Sequence, residues 1–163
     1  MKSLLLLRHA RPAPNSPRAR DFDRTLTDVG REQARRVGQL LREKEIEPEA
    51  IISSPAARAR ETADLVCEAA GLSTQTRFDA RIYEASLEEL LHIVSEAEDG
   101  IETLLLVGHN PGLAELIARL TGESAAMSPA TLARIELDIA AWDEVHHADG
   151  RLAFVAPPET SSK

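Results

Sequence analysis

The stretch Leu4-Leu5-Leu6-Leu7-Arg8-His9-Ala10 limits the fold more than any other part of the chain. Four leucines without polar alternation suit a strand buried on both faces, as in a parallel sheet covered by helices. The run ends abruptly in two cation-capable side chains and a small residue. In open α/β sheets, ligands bind at the carboxyl ends of the strands, where strand order reverses. Arg8 and His9 are therefore placed where chemistry is usually done. The run is too short for a signal peptide, and no small-residue cleavage pattern follows it.

A second apolar run, Thr103 to Val107, ends in the same manner, in Gly108-His109-Asn110-Pro111. If the two strands are neighbours, both imidazoles face one crevice at the carboxyl edge of the sheet. Between them, Ala50-Ile51-Ile52-Ser53 reads as a short buried strand. Ser54-Pro55 follows as a capping residue with proline at the first helical position, opening a helix to about Ala70 that stops at Gly71. Arg58 falls in the first turn of that helix, where guanidinium and free N–H groups can address one anion. Two arginines and two histidines converging on strand ends make a pocket for a phosphoryl group.

The remaining elements complete a βαβαβ alternation. Thr27 caps a helix from Asp28 to Lys44, with Val29, Ala34, Val37, Leu40 and Leu41 as its apolar stripe. Thr76 to Phe78 reads as a short strand. Ser86 to Glu89 forms a capping box for a third helix reaching about Ala97. Asn110 and Pro111 open a fourth helix ending near Gly122. Leu132 to Ile139 and Leu152 to Val155 flank a Gly150 turn as an antiparallel pair. The expected architecture is a three-layer α/β/α sandwich, its central sheet mostly parallel with an antiparallel C-terminal strand pair. One domain over residues 1–156 and a loose tail over 157–163 are expected.

Composition narrows the function. The chain has 163 residues with 27 acidic and 19 basic side chains, a net charge of −8. That balance argues against nucleic-acid partners, which require phosphate neutralisation by basic surfaces. No run has transmembrane length, so no membrane association is expected and the cytoplasm is the default compartment. Cys67 is the single cysteine, read as a small core residue. His146 and His147, near Asp143 and Asp149, read as a polar hairpin loop rather than a metal site. His92 reads as a structural residue at or near the surface. No carboxylate cluster or histidine spacing calls for a metal or another cofactor.

The motifs together resemble the histidine phosphatase (phosphoglycerate mutase-like) superfamily, and within it the short phosphohistidine phosphatase branch of the SixA type. The resemblance rests on Leu7-Arg8-His9-Ala10, Asp23-Arg24-Thr25-Leu26-Thr27 with Gly30 and Ala34, Ser53-Ser54-Pro55 with Arg58 and Glu61-Thr62-Ala63, and Val107-Gly108-His109-Asn110-Pro111. It implies that His9 is the phosphorylated nucleophile and that Arg8, Arg58 and His109 line the phosphate pocket. Arg24, in the flanking loop, is a substrate contact by the same resemblance, and Ser54 and Asn110 join it as candidate substrate-binding residues. Glu84 is the candidate proton donor, at a position the short branch does not keep reliably acidic. Ala10 replaces a usual glycine, which is tolerable if φ is negative there. Thr25 replaces a common proline.

The chemistry of the residues agrees with what the family implies. An imidazole attacks only when neutral, and two nearby arginines disfavour its protonation. The same cations neutralise phosphoryl oxygens in the transition state. The expected activity is a metal-independent phosphatase acting through a phosphohistidine at His9, most readily on phosphohistidine of a partner protein. An alternative is a small-molecule phosphomonoesterase using Glu84 as general acid. A non-catalytic phosphate-binding module is the third reading, although His9, both arginines and His109 are all present.

Overall fold

The leucine run lies in strand β1 (Lys2–Arg8) of the computed structural model, which describes residues 1–158. Leu4 to Leu7 are all completely buried. Side-chain alternation sends Leu4 and Leu6 to one face of the sheet and Leu5 and Leu7 to the other. Each face has its own core. Burying such a leucine contributes about 2 kcal/mol, so this strand ties both layers together.

Among the described residues, six strands form one sheet in the order β3-β2-β4-β1-β5-β6. Strands β2 (Ala50–Ser53), β3 (Thr76–Phe78) and β4 (Thr103–Gly108) run parallel to β1. Strands β5 (Leu132–Leu137) and β6 (Gly150–Ala156) add the antiparallel pair. Helices α1 (Asp28–Glu43) and α2 (Ala57–Ala70) pack against Leu5 and Leu7. Helices α3 (Leu87–Ser95) and α4 (Gly112–Thr121) pack against Leu4 and Leu6 on the opposite face. The three layers are those the sequence predicts.

The register positions the site. Arg8 pairs with Gly108, and Ser53 pairs with Val107. Strands β2, β4 and β1 therefore end level, and the next residues, Ser54, His109 and His9, emerge at one edge. The His9 amide donates to the Gly108 carbonyl at 3.1 Å and the Ser54 amide to the Val107 carbonyl at 3.0 Å, holding these exits in place.

Several local expectations need correction. Val29 is 52% exposed rather than part of the α1 stripe. The buried positions of α1 are Gly30, Ala34, Val37, Gly38 and Leu41, a helical stripe that leaves Val29 about 120° off its centre. Gly30 occupies the inward place because a Cβ there would lie 2.2 Å from the Arg11 carbonyl oxygen. Helix α2 begins at Ala57, and no side chain caps it. Likewise α4 begins at Gly112, after the Asn110-Pro111 pair. The segment holding His146 and His147 is a 3-10 turn, Trp142–His147, rather than an open hairpin loop. Trp142 and Val145 are fully buried there, and the Trp142 indole donates to the Ile101 carbonyl at 2.7 Å. His92 is at the surface, as expected, with Nε2 3.2 Å from a Glu96 carboxylate oxygen, and Cys67 is half-buried. Of the tail, Pro157 and Pro158 have no regular structure, and 159–163 lie outside the described residues. No helix among the described residues is long and apolar enough to cross a membrane.

Candidate active site

His9 is 3% exposed, so its ring sits at the bottom of the crevice. Its Nδ1 lies 2.8 Å from the Ala10 carbonyl oxygen. A carbonyl can only accept, so Nδ1 carries the proton and the Nε2 lone pair is free to face the crevice. The Arg58 Nε–H points at that Nε2 from 3.4 Å. Burial is the main cause that holds the His9 pKa down at about 4; the Ala10 carbonyl opposes it, and Arg58, Arg8 and Arg24 add to it. The sequence assigned the whole effect to the arginines. Desolvation is the largest cause.

His109 stands beside it, ring centroids 5.1 Å apart. Its Nε2 shares a hydrogen bond of 2.8 Å with Ser54 Oγ. Burial first, then His9 and Arg58, hold the His109 pKa at about 3. Both rings are therefore neutral at pH 7, with the His9 Nε2 lone pair rather than an imidazolium N–H facing the crevice. Ser54 Oγ also accepts the Ala56 amide at 3.2 Å. The residue read as a helix cap bonds outside the helix, to the turn before α2 and to the second imidazole.

The two arginines are held differently. Arg8, at the end of β1, donates Nη1 to the Met127 carbonyl at 3.0 Å. Its Nε is buried without a hydrogen-bond partner among the described residues. A buried guanidinium N–H with no acceptor is costly. Arg58, 6% exposed, has both terminal nitrogens on Asp21: Nη1 to its carbonyl at 2.8 Å, Nη2 to Oδ2 at 3.0 Å. Asn110 Nδ2 donates to the same Met127 carbonyl at 2.7 Å, and its Oδ1 accepts the Ala114 amide at 3.3 Å. Asn110 thus ties α4 to the loop that receives Arg8.

Asp21 escaped the sequence reading. It starts a 3-10 turn, Asp21–Asp23, in the polar loop before α1. Besides Arg58 it accepts from the Tyr83 hydroxyl at 2.6 Å and from Arg24 Nε at 3.0 Å. The Tyr83 hydroxyl foremost, then Arg58 and Arg24 against the opposing effect of burial, hold its pKa down at about 2. Arg24 also donates to the Ala13 carbonyl at 3.0 Å. It is a brace for the loop, one residue away from the pocket arginine. Tyr83 lies edge-on to His109, centroids 5.5 Å apart, and Phe22 lies edge-on to Tyr83 at 5.2 Å. These rings form a partly exposed row along the rim. Glu84 follows Tyr83, exposed and at a left-handed φ of 58°, with no hydrogen bond or ion pair to the crevice among the described residues.

Three further residues fix the backbone around His9. Thr62 Oγ1 accepts the Ala10 amide at 3.0 Å, and Ala10 itself is fully buried without a positive φ. Glu61 Oε1 accepts the Leu26 amide at 3.0 Å while its other oxygen pairs with Arg31. The Ala130 amide bonds the carbonyls of Arg8 and His9 at 3.1 and 3.0 Å. Among the described residues no group of three or more His, Cys, Asp and Glu stands together as a metal site would require.

Comparison with known proteins agrees with this geometry. The family model of the histidine phosphatase superfamily (branch 1) matches residues 4–98. A chloroplastic protein of Arabidopsis thaliana is 28% identical over 98% of this chain and 79% of its own length. A Mycobacterium tuberculosis protein is 32% identical over 75% of this chain and 76% of its own. Neither relative has a characterised activity. The crystal structure of a protein proposed to be phosphohistidine phosphatase SixA of Agrobacterium tumefaciens superposes with a TM-score of 0.84 at 27% identity, covering 96% of this chain and 98% of that one. The tungstate complex of the protein histidine phosphatase SixA, at 21% identity, shares the fold with a TM-score of 0.83 over 96% and 97% of the two chains. With the level strand ends, the paired imidazoles and the buried guanidinium, these likenesses make the chain a phosphatase of the histidine phosphatase superfamily, branch 1, with the SixA-type fold.

Proposed function

We propose that the chain hydrolyses phosphohistidine on a partner protein in two steps through a phosphohistidine of its own at His9. The observation that carries this is the bond from His9 Nδ1–H to the Ala10 carbonyl, which leaves Nε2 unprotonated in the crevice. In the first step Nε2 attacks phosphorus and the bond to the leaving group breaks. Arg8, Arg58 and the N–H groups around His109 and Ser54 take the charge on the phosphoryl oxygens. In the second step water attacks the phosphorus on His9, and phosphate departs as the electron pair returns to Nε2. Arg24 and Asn110 act by holding the loops that present Asp21 and Arg8.

The protein substrate is favoured over small esters by the position of Glu84. An alkoxide leaving group needs a general acid within hydrogen-bond reach, and Glu84 is exposed with no bond to the crevice. An imidazole leaving group departs far more readily. The test compares a phosphohistidine protein with p-nitrophenyl phosphate, in EDTA, for wild type and His9→Ala. Phosphohistidine cleavage that survives EDTA and is lost in His9→Ala is the expected result. Full activity in His9→Ala would remove His9 as nucleophile.

A further inference from the structure

The proposed chemistry leaves Asp21 unexplained: a carboxylate bonded to the pocket arginine at the rim of a site built for an anion. Its negative charge opposes phosphate binding, so a structural role alone would be better served by asparagine. It is also a poor acid, because Tyr83, Arg58 and Arg24 all stabilise its ionised form. What an ionised carboxylate at a rim can do is accept an N–H and pair with a cation.

We propose that Asp21 binds the leaving group, accepting a hydrogen bond from the ring nitrogen of substrate phosphohistidine that does not carry phosphorus. This rests on the phosphohistidine reading above and names the part of the substrate that confers selectivity. Either isomer of phosphohistidine has one phosphorylated nitrogen and one that can take a proton. A proton held on the second nitrogen makes the ring an imidazolium. When the P–N bond breaks, its electron pair goes to the phosphorylated nitrogen, and the ring leaves as neutral imidazole. The new bond joins phosphorus to His9 Nε2. No proton has to be delivered at the breaking bond, so no general acid is needed there. A phosphate ester offers no second nitrogen, and Asp21 has nothing to accept from it.

The geometry supplies the exchange that this requires. Oδ2 of Asp21 accepts from Arg58 Nη2 at 3.0 Å and from Tyr83 at 2.6 Å, so it is fully engaged before substrate arrives. An entering phosphoryl group competes for Arg58, whose Nε already points at His9 Nε2. As the guanidinium turns to phosphate, Oδ2 gains a vacant lone pair, and Asp21 keeps only Arg24, on its other oxygen, as a cationic partner. The substrate's N–H then fills that place. The partly exposed Phe22 and Tyr83 rings flank Asp21, with Arg20 and Arg58 over their faces at 6.0 Å; when Arg58 turns to phosphate, the Tyr83 face is left to a planar cation. Charge passes in one movement: the arginine to the phosphate, the carboxylate to the imidazolium.

The test measures kcat/KM for a phosphohistidine protein and for p-nitrophenyl phosphate in wild type, Asp21→Asn, Asp21→Glu and His9→Ala. A charge-assisted hydrogen bond of this kind corresponds to a loss of about tenfold to a hundredfold. The ratio of phosphohistidine to ester activity should fall by that factor in Asp21→Asn and recover partly in Asp21→Glu, while KM for the ester falls as Arg58 is released. A misfolded or loosened loop would lower both substrates together, and that result, or an unchanged ratio, overturns the assignment of Asp21. Wild type that cleaves the ester through His9 but spares phosphohistidine overturns the underlying reading as well, so the two failures are told apart.

Discussion

Acidification from pH 7 to pH 4 should destabilise this protein through its two site histidines, and the size of the effect follows from their burial. An unfolded chain holds both near the ordinary pKa of about 6.5. In the fold, His9 is pushed down to about 4 and His109 to about 3. Between those values and 6.5 the unfolded state binds more protons than the native state, so stability rises with pH through the window and is lost as pH falls. At pH 4 the linkage amounts to about 3 kcal/mol for each ring taken singly. The repulsion between the rings enters through His109, whose pKa His9 helps to lower, and not through the His9 value. Even one such term is a sizeable fraction of the 5–15 kcal/mol typical of a domain. The assay is urea unfolding at pH 7, 5.5 and 4 for wild type and His9→Asn. Carboxylates contribute equally to both proteins, so the difference between them reports the His9 imidazole together with its repulsion of His109. The wild type should lose about 3 kcal/mol more than the variant on reaching pH 4. A difference under about 1 kcal/mol would mean that His9 is hydrated or protonated in the fold, and the argument for a free Nε2 at neutral pH would fail with it.

Two further substitutions test how the site is held. Thr62→Val removes the acceptor of the Ala10 amide and strands a buried N–H, so it should cost about 1–3 kcal/mol in unfolding experiments and lower kcat more than it raises KM. Gly30→Ala drives a methyl to within 2.2 Å of the Arg11 carbonyl, displacing the loop that leads to Asp21. It should destabilise by about 1–3 kcal/mol and be visible as a lowered melting temperature with the chemistry of His9 retained.

The layers of this fold were legible because they depend on runs of one kind of residue. Leu4 to Leu7 and Leu104 to Val107 admit few other solutions than a covered parallel sheet. Their polar endings mark its carboxyl edge. Arg8, His9 and His109 on those endings, with Ser54 after β2 and Arg58 in the first turn of α2, were legible for the same reason: the strand register brings these exits to one edge. Asp21 belongs to a different category. It sits among charged residues in a loop that pattern reading treats as solvated, and nothing local brings it back to the crevice. The return depends on pairings distant in sequence: the Pro12 to Leu26 bridge, the Ala13 amide on the Thr25 carbonyl, and Glu61 gripping the Leu26 amide. The Met127 carbonyl that receives both Arg8 and Asn110 was illegible for a simpler reason, since every residue has one.

This division has a physical basis and bears on how the site achieves selectivity. Groups that neutralise phosphate stand on the level ends of β1, β2 and β4 and in the first turn of α2, where packing of both cores fixes them to within a side-chain rotamer. Groups that would meet the leaving group are Asp21 and Phe22, on the 3-10 turn Asp21–Asp23, and Tyr83, just after a second such turn at Ala80–Ile82; the two segments touch through a hydroxyl–carboxylate bond and an edge-on ring contact. The rigid half is what any phosphoryl substrate requires. The lightly held half can be rebuilt without disturbing a single strand. A change of substrate in this framework is therefore cheapest in residues 11–24 and 79–86, the segments where the hydrophobic pattern of the sequence is weakest.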